Sequence, residues 1–166
     1  MKKLAIIICL ILCLFTSGCA KKVKCEVDEV CAGIWPRYSS DDSTTDRKSI
    51  YDVLGFGGCY LFKSYEEFDN FLNEYDLVLK EKIASKYTSD FFIDKALIIC
   101  FGIDPSGGYK WKFNIYKEDS ILKLEVYKSL KGNGTDVEVD RMFFIDIYQE
   151  KITNTNEFDF HYKISN

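Results

Sequence analysis

Seven cysteines and one histidine are the side chains of widest chemical reach in this 166-residue chain. Cys100 and His161 form the one Cys/His combination that nucleophilic catalysis could use, and His161 has Asp159 and Lys163 beside it. Cys100, however, stands inside the apolar run 96–101, where a cysteine packs as a small hydrophobe. His161 falls on the polar phase of a terminal strand pattern, where a solvated imidazole is expected. The carboxylates Asp104, Asp136, Asp140 and Asp146 are spread over turns and strand edges, with no spacing that selects an acid/base pair or a calcium loop. A metal centre would need closer cysteine pairs or more histidines. The residue pattern therefore predicts no enzyme, no metal and no cofactor.

What does stand out is Asp104-Pro105-Ser106-Gly107-Gly108-Tyr109, a run of turn-forming residues between two hydrophobic segments. Beyond it Tyr109, Trp111, Phe113 and Ile115 alternate with Lys110, Lys112, Asn114 and Tyr116, as a half-buried strand does. The arrangement predicts a hairpin with a conspicuous tip. Pro105 and the glycines would hold an unusual backbone that lets main-chain groups approach a partner, and Tyr109 could add contact area. Trp111 is expected in the core, while Tyr109 suits core and tip equally.

Several elements must carry that tip. Ser64-Tyr65-Glu66-Glu67 has the form of a capping box, and Phe68, Phe71, Leu72 and Tyr75 follow at helical spacing, which predicts a helix packed on a sheet. Residues 77–88 fit a second short helix or an irregular connection, and 90–94 a tight turn. Strand patterns cover 51–62 (broken by Gly55-Phe56-Gly57-Gly58), 96–101, 109–116, 121–128, 137–148 and 158–164. The 109–116 and 121–128 strands should pair antiparallel across a short polar loop. With 47% hydrophobic and 16% aromatic residues, the expected fold is α+β: an antiparallel sheet of about five or six strands with one main amphipathic helix.

The amino terminus reads as an export signal. Lys2 and Lys3 precede the apolar run 4–15, and Thr16-Ser17-Gly18-Cys19 follows. This order resembles the lipobox of bacterial lipoproteins, with Thr16 where that family usually has Leu. The resemblance implies cleavage after Gly18, lipidation of Cys19 and anchoring to a membrane, facing outside the cytoplasm. The expected organisation is a signal over 1–18, lipidated cysteine, tether and loop over 19–50, and one globular domain over 51–166. Without Lys2 and Lys3, 20 of the 22 basic residues remain against 26 acidic ones, a net of -6, which argues against nucleic acid. In an exported chain Cys25, Cys31, Cys59 and Cys100 can pair in three ways. Cys25 with Cys31, close in sequence, and Cys59 with Cys100, both in folded segments, is the preferred arrangement. A free buried Cys100 is its alternative.

Ser64-Tyr65-Glu66-Glu67-Phe68, Phe91-Phe92 with Asp94, Leu97-Ile98-Ile99 and Ser106-Gly107-Gly108-Tyr109 together resemble small lipoproteins related to the PrcB carboxy-terminal domain, over about residues 60–150. That resemblance implies a binding or accessory domain for an envelope protein, with a protease as the suggested partner. Asp104-Pro105-Ser106-Gly107-Gly108-Tyr109-Lys110-Trp111 is also similar to the first inhibitory loop of chagasin-type inhibitors of papain-like cysteine proteases. There Lys131-Gly132-Asn133-Gly134 would stand for a second loop and Arg141-Met142-Phe143 for a third.

Overall fold

The computed structural model describes residues 20–31, 58–74, 80–104, 108–130 and 139–165. Among these residues eight strands form two sheets, and three helices cover one face: β1 Lys21–Val23, β2 Cys25–Cys31, β3 Cys59–Phe62, α1 Tyr65–Glu74, α2 Lys80–Lys86, α3 Phe91–Asp94, β4 Lys95–Asp104, β5 Tyr109–Glu118, β6 Ile121–Leu130, β7 Val139–Tyr148 and β8 Glu157–Ser165. The mixed α/β class is as expected, but the single sheet is not. One sheet has the order β1-β5-β6-β8 and the other β2-β7-β4-β3.

The helix begins as its sequence dictates. Glu67 N–H donates to Ser64 Oγ at 3.2 Å, and the Glu67 carboxylate accepts from the backbone of Ser64 and Lys63. Phe68, Phe71 and Leu72 are buried from α1, Ile83 from α2 and Phe92 from α3. They meet Leu97, Ile99, Phe101, Met142 and Phe144 on one face of the β4/β7 sheet. The opposite phase of the same strands, Ala96, Ile98, Cys100, Phe143, Ile145 and Ile147, packs on Ile115, Leu122, Leu124 and Val126 of the other sheet. The layers are thus helices, sheet, sheet. Because β4 and β7 are covered on both faces, each carries an unbroken apolar run, 96–101 in β4 and 142–145 in β7.

Three expectations are corrected. The 104–109 connection is no hairpin, because β4 pairs with β3 and β7 whereas β5 pairs with β1 and β6. It crosses from one sheet to the other. Second, the expected tether is partly folded: β1 joins the first sheet (Lys21↔Lys117) and β2 the second (Cys25↔Ile147), while 32–57 lie outside the described residues. Third, β8 runs parallel to β6 (Leu122↔Phe158). β7 leaves for the second sheet, so the chain returns to the first at the end where β6 begins, and must run the same way. The expected 109–116/121–128 pair is present, closed by Asp119-Ser120, with Asp119 at φ 53°. The ambiguous 77–88 segment contains α2, and the expected turn at 90–94 is the one-turn helix α3.

Strand register gives the sandwich two ends. At one lie Asp104, Tyr109, Leu130 and Val139, paired as Asp104↔Val139 and Tyr109↔Leu130. At the other lie Lys95, Glu118, Ile121, Tyr148 and Glu157, tied together by 149–156. There Asn156 N–H donates to Ser120 O at 3.0 Å, and Lys63 Nζ and Lys117 Nζ donate to Thr155 O and Thr153 O.

Candidate functional site at the 104–109 end

Asp104, the last residue of β4, is 0% exposed. Its Oδ2 accepts from Arg141 Nε of β7 at 3.1 Å and from the Tyr109 backbone N–H at 3.2 Å. One buried carboxylate thus joins both sheets and sets where β5 starts. Such a charge is stable only because these donors replace water.

From Tyr109 the alternation carries Trp111 inward, over Gly102 of β4. A Cβ on Gly102 would lie 2.4 Å from the Trp111 ring, so only glycine permits this approach. The indole also meets Phe143 (5.1 Å between ring centres) and Tyr162 (6.5 Å). Its buried Nε1–H has no hydrogen-bond partner among the described residues. Lys128, the register partner of Trp111, lays its ammonium 4.2 Å from the Tyr109 ring centre and 5.1 Å from that of Trp111. Burial lowers the Lys128 pKa, and Asp104 pulls it back up. The result is a half-buried aromatic pair under a cation, braced by an ion pair beneath.

Deeper along the same strands, Cys59 and Cys100 face each other in register on β3 and β4. Phe101 N–H donates to Gly58 O at 3.0 Å, so Cys59/Cys100 is the neighbouring non-hydrogen-bonded pair, in which side chains approach most closely. Both are buried free thiols, and Cys100 is raised well above its ordinary pKa, by burial first and then by Cys59. Tyr162 Oη donates to Phe101 O at 2.9 Å and lies 3.9 Å from Cys59 Sγ. Burial, followed by the neighbouring thiols, raises its phenol strongly.

The expected Cys25–Cys31 bridge is contradicted. The two residues begin and end the seven-residue strand β2, which separates them by about 20 Å, and the Cys25 thiol is free. The Cys100/His161 combination does not assemble either. His161 is 60% exposed on the outer face of the β5/β6/β8 sheet, 3.0 Å from Asp159, with Cys100 beneath the inner face. Of the expected loop, Asp104, Gly108 and Tyr109 are described, while Pro105, Ser106 and Gly107 lie outside the described residues, as do Cys19, Asp136 and 131–134. Arg141, Met142 and Phe143 lie within β7, not in a third loop. Among the described residues no group of three His, Cys, Asp or Glu could hold a metal ion, and no helix is long and apolar enough to cross a membrane.

Sequence reasoning missed Gly102 and Lys128. Each carried a signal: a lone glycine within a strand marks close approach, and Lys128 continues the inward phase of Leu122, Leu124 and Val126. No protein-family model, no curated protein and no solved structure matches the chain.

Proposed function

We propose that this chain is a non-catalytic, lipid-anchored lipoprotein of the bacterial envelope, held at the membrane by Cys19 and exposed outside the cytoplasm, whose domain binds an envelope protein through its 104–109 end. The observation that carries this reading is the braced platform: Asp104 holds Arg141 and the Tyr109 backbone, and Lys128 caps the Tyr109 and Trp111 rings. Half-buried aromatic residues on a rigid support bind with little loss of conformational entropy, which is why Tyr and Trp dominate binding hot spots. The partner implied by the PrcB-like resemblance is a protease or a protein associated with one.

A second reading, inhibition of a papain-like cysteine protease, is favoured by one feature. The 104–109 and 130–139 connections both cross between sheets at this same end. Crosslinking on intact cells tests the first reading, using the parent beside Tyr109→Ala with Ser106→Ala, after circular dichroism has shown the variant to be folded. A defined partner captured by the parent and lost with the variant is the expected result; identical captures would refute recognition by this end. Dose-dependent inhibition of papain by the parent alone would favour the second reading.

A further inference from the structure

The opposite end of the sandwich carries features that neither folding nor the 104–109 platform requires. Ile93 is 71% exposed, Tyr148 47% and Tyr65 39%. All three lie at that end: Ile93 in α3, immediately before β4; Tyr148 as the last residue of β7, in register with Lys95; and Tyr65 as the first of α1, three residues after β3 ends. They are held rigidly. Gln149 Nε2 donates to Phe92 O (2.7 Å), Lys63 O (2.9 Å) and Lys95 O (3.2 Å), the Tyr65 and Phe92 rings pack at 6.3 Å, and Lys95 Nζ sits 5.5 Å from the Tyr148 ring centre.

The chain enters the domain at the same end. Only Ala20 separates Cys19 from Lys21, where β1 begins in register with Lys117, next to the last residue of β5. Two residues of chain reach at most about 7 Å. Lys21, Lys22 and Lys24 are exposed there and form no ion pair among the described residues. Of the acidic residues at this end Glu118 pairs with Lys123, Glu150 with Lys151, and Glu26 and Asp146 with Lys95, whereas Glu66, Asp94, Asp119 and Glu157 are exposed. β2, which follows β1 directly, lies two strand spacings from β4, roughly 10 Å, so an anchor at Cys19 and the Ile93 patch can meet one surface.

We propose that this end is seated on the phospholipid bilayer, with Ile93, Tyr65 and Tyr148 in the headgroup region and Lys21, Lys22 and Lys24 against anionic headgroups. The inference rests on the reading of Cys19 as lipidated. Tyrosines favour the membrane interface because one end of the ring is apolar and the other polar, and lysines beside an anchor add attraction to anionic lipid. Ten-residue strands then hold the 104–109 end roughly 30 Å above the bilayer, facing away from it. A partner must meet it at that height.

The test uses the mature protein extracted from membranes and placed in vesicles of phosphatidylcholine and phosphatidylglycerol with brominated acyl chains, which quench indole fluorescence at short range. Ile93→Trp and, as the far-end control, Leu130→Trp are compared with the parent; both sites are exposed, so both variants should fold. Mass spectrometry of the Cys19 peptide reports the anchor separately. The expected result is an acylated Cys19, added indole emission quenched roughly twofold more at 93 than at 130, and weaker quenching without phosphatidylglycerol. Equal quenching at 93 and 130 with Cys19 acylated would overturn the seating and leave the anchor standing. An unacylated Cys19 would overturn both, and quenching indifferent to phosphatidylglycerol would overturn the role given to the lysines.

Discussion

Gly102→Ala tests the geometry beneath the platform most directly. The new methyl carbon would lie 2.4, 2.9 and 3.1 Å from Trp111 Cη2, Cζ3 and Cζ2, whereas ordinary carbon contacts begin near 3.5 Å. The indole must retreat by about 1 Å. It has little room, because Phe143 and Tyr162 pack against it and Lys128 lies above it. Overpacking costs about 1–3 kcal/mol, and a rigid ring met at three atoms places this site near the top of that range, at about 3 kcal/mol. With a urea slope of about 2 kcal/mol/M, the unfolding midpoint should fall by about 1.5 M, followed by far-ultraviolet circular dichroism. Trp111→Phe removes the outer ring carbons and should relieve the clash. In that background Gly102→Ala should lie within about 0.5 kcal/mol of neutral, since alanine also restricts the unfolded chain more than glycine does. A similar cost in both backgrounds, or a cost under about 0.5 kcal/mol in the parent, would refute the approach of Trp111 to Gly102.

Other consequences are equally open to measurement. Asp104→Ala should destabilise by about 3 kcal/mol in urea unfolding, because it removes the buried carboxylate that accepts from both Arg141 and the Tyr109 N–H; Asp104→Asn, which keeps an acceptor for the Tyr109 N–H, should cost less. In the reduced protein Cys100 and Tyr162 titrate above their ordinary values of 9.0 and 10.0. The unfolded chain therefore holds fewer protons than the folded one above those pH values, and the stability they contribute, complete below about pH 9, declines as pH rises. Tyr162→Phe should make the decline above pH 10 shallower by about 1.4 kcal/mol per pH unit, and an unchanged slope would count against a buried phenol. In oxidising conditions peptide mapping should find Cys59 joined to Cys100, stabilising the fold by about 4 kcal/mol through closure of the 59–100 loop. A bridge involving Cys25 would contradict the register.

Local chemistry was legible without coordinates. Ser64 and Glu67 announced the start of α1, and the two-residue alternation set Trp111, Phe113 and Ile115 together on the inward face of β5. Period two says which way a side chain points but not which strand lies beside it. For that reason the turn-forming run after Asp104 read as a hairpin, when the chain in fact steps between sheets, and Cys25 and Cys31 read as neighbours although an extended strand holds them apart. Pairing is decided by where buried faces find cover. With β4 and β7 covered on both sides, β5 had to begin the next layer, and that step brings Gly102 under Trp111, Lys128 over Tyr109 and Asp104 to Arg141 from segments distant in sequence. No local pattern encodes such meetings, because each depends on the packing of two sheets at once.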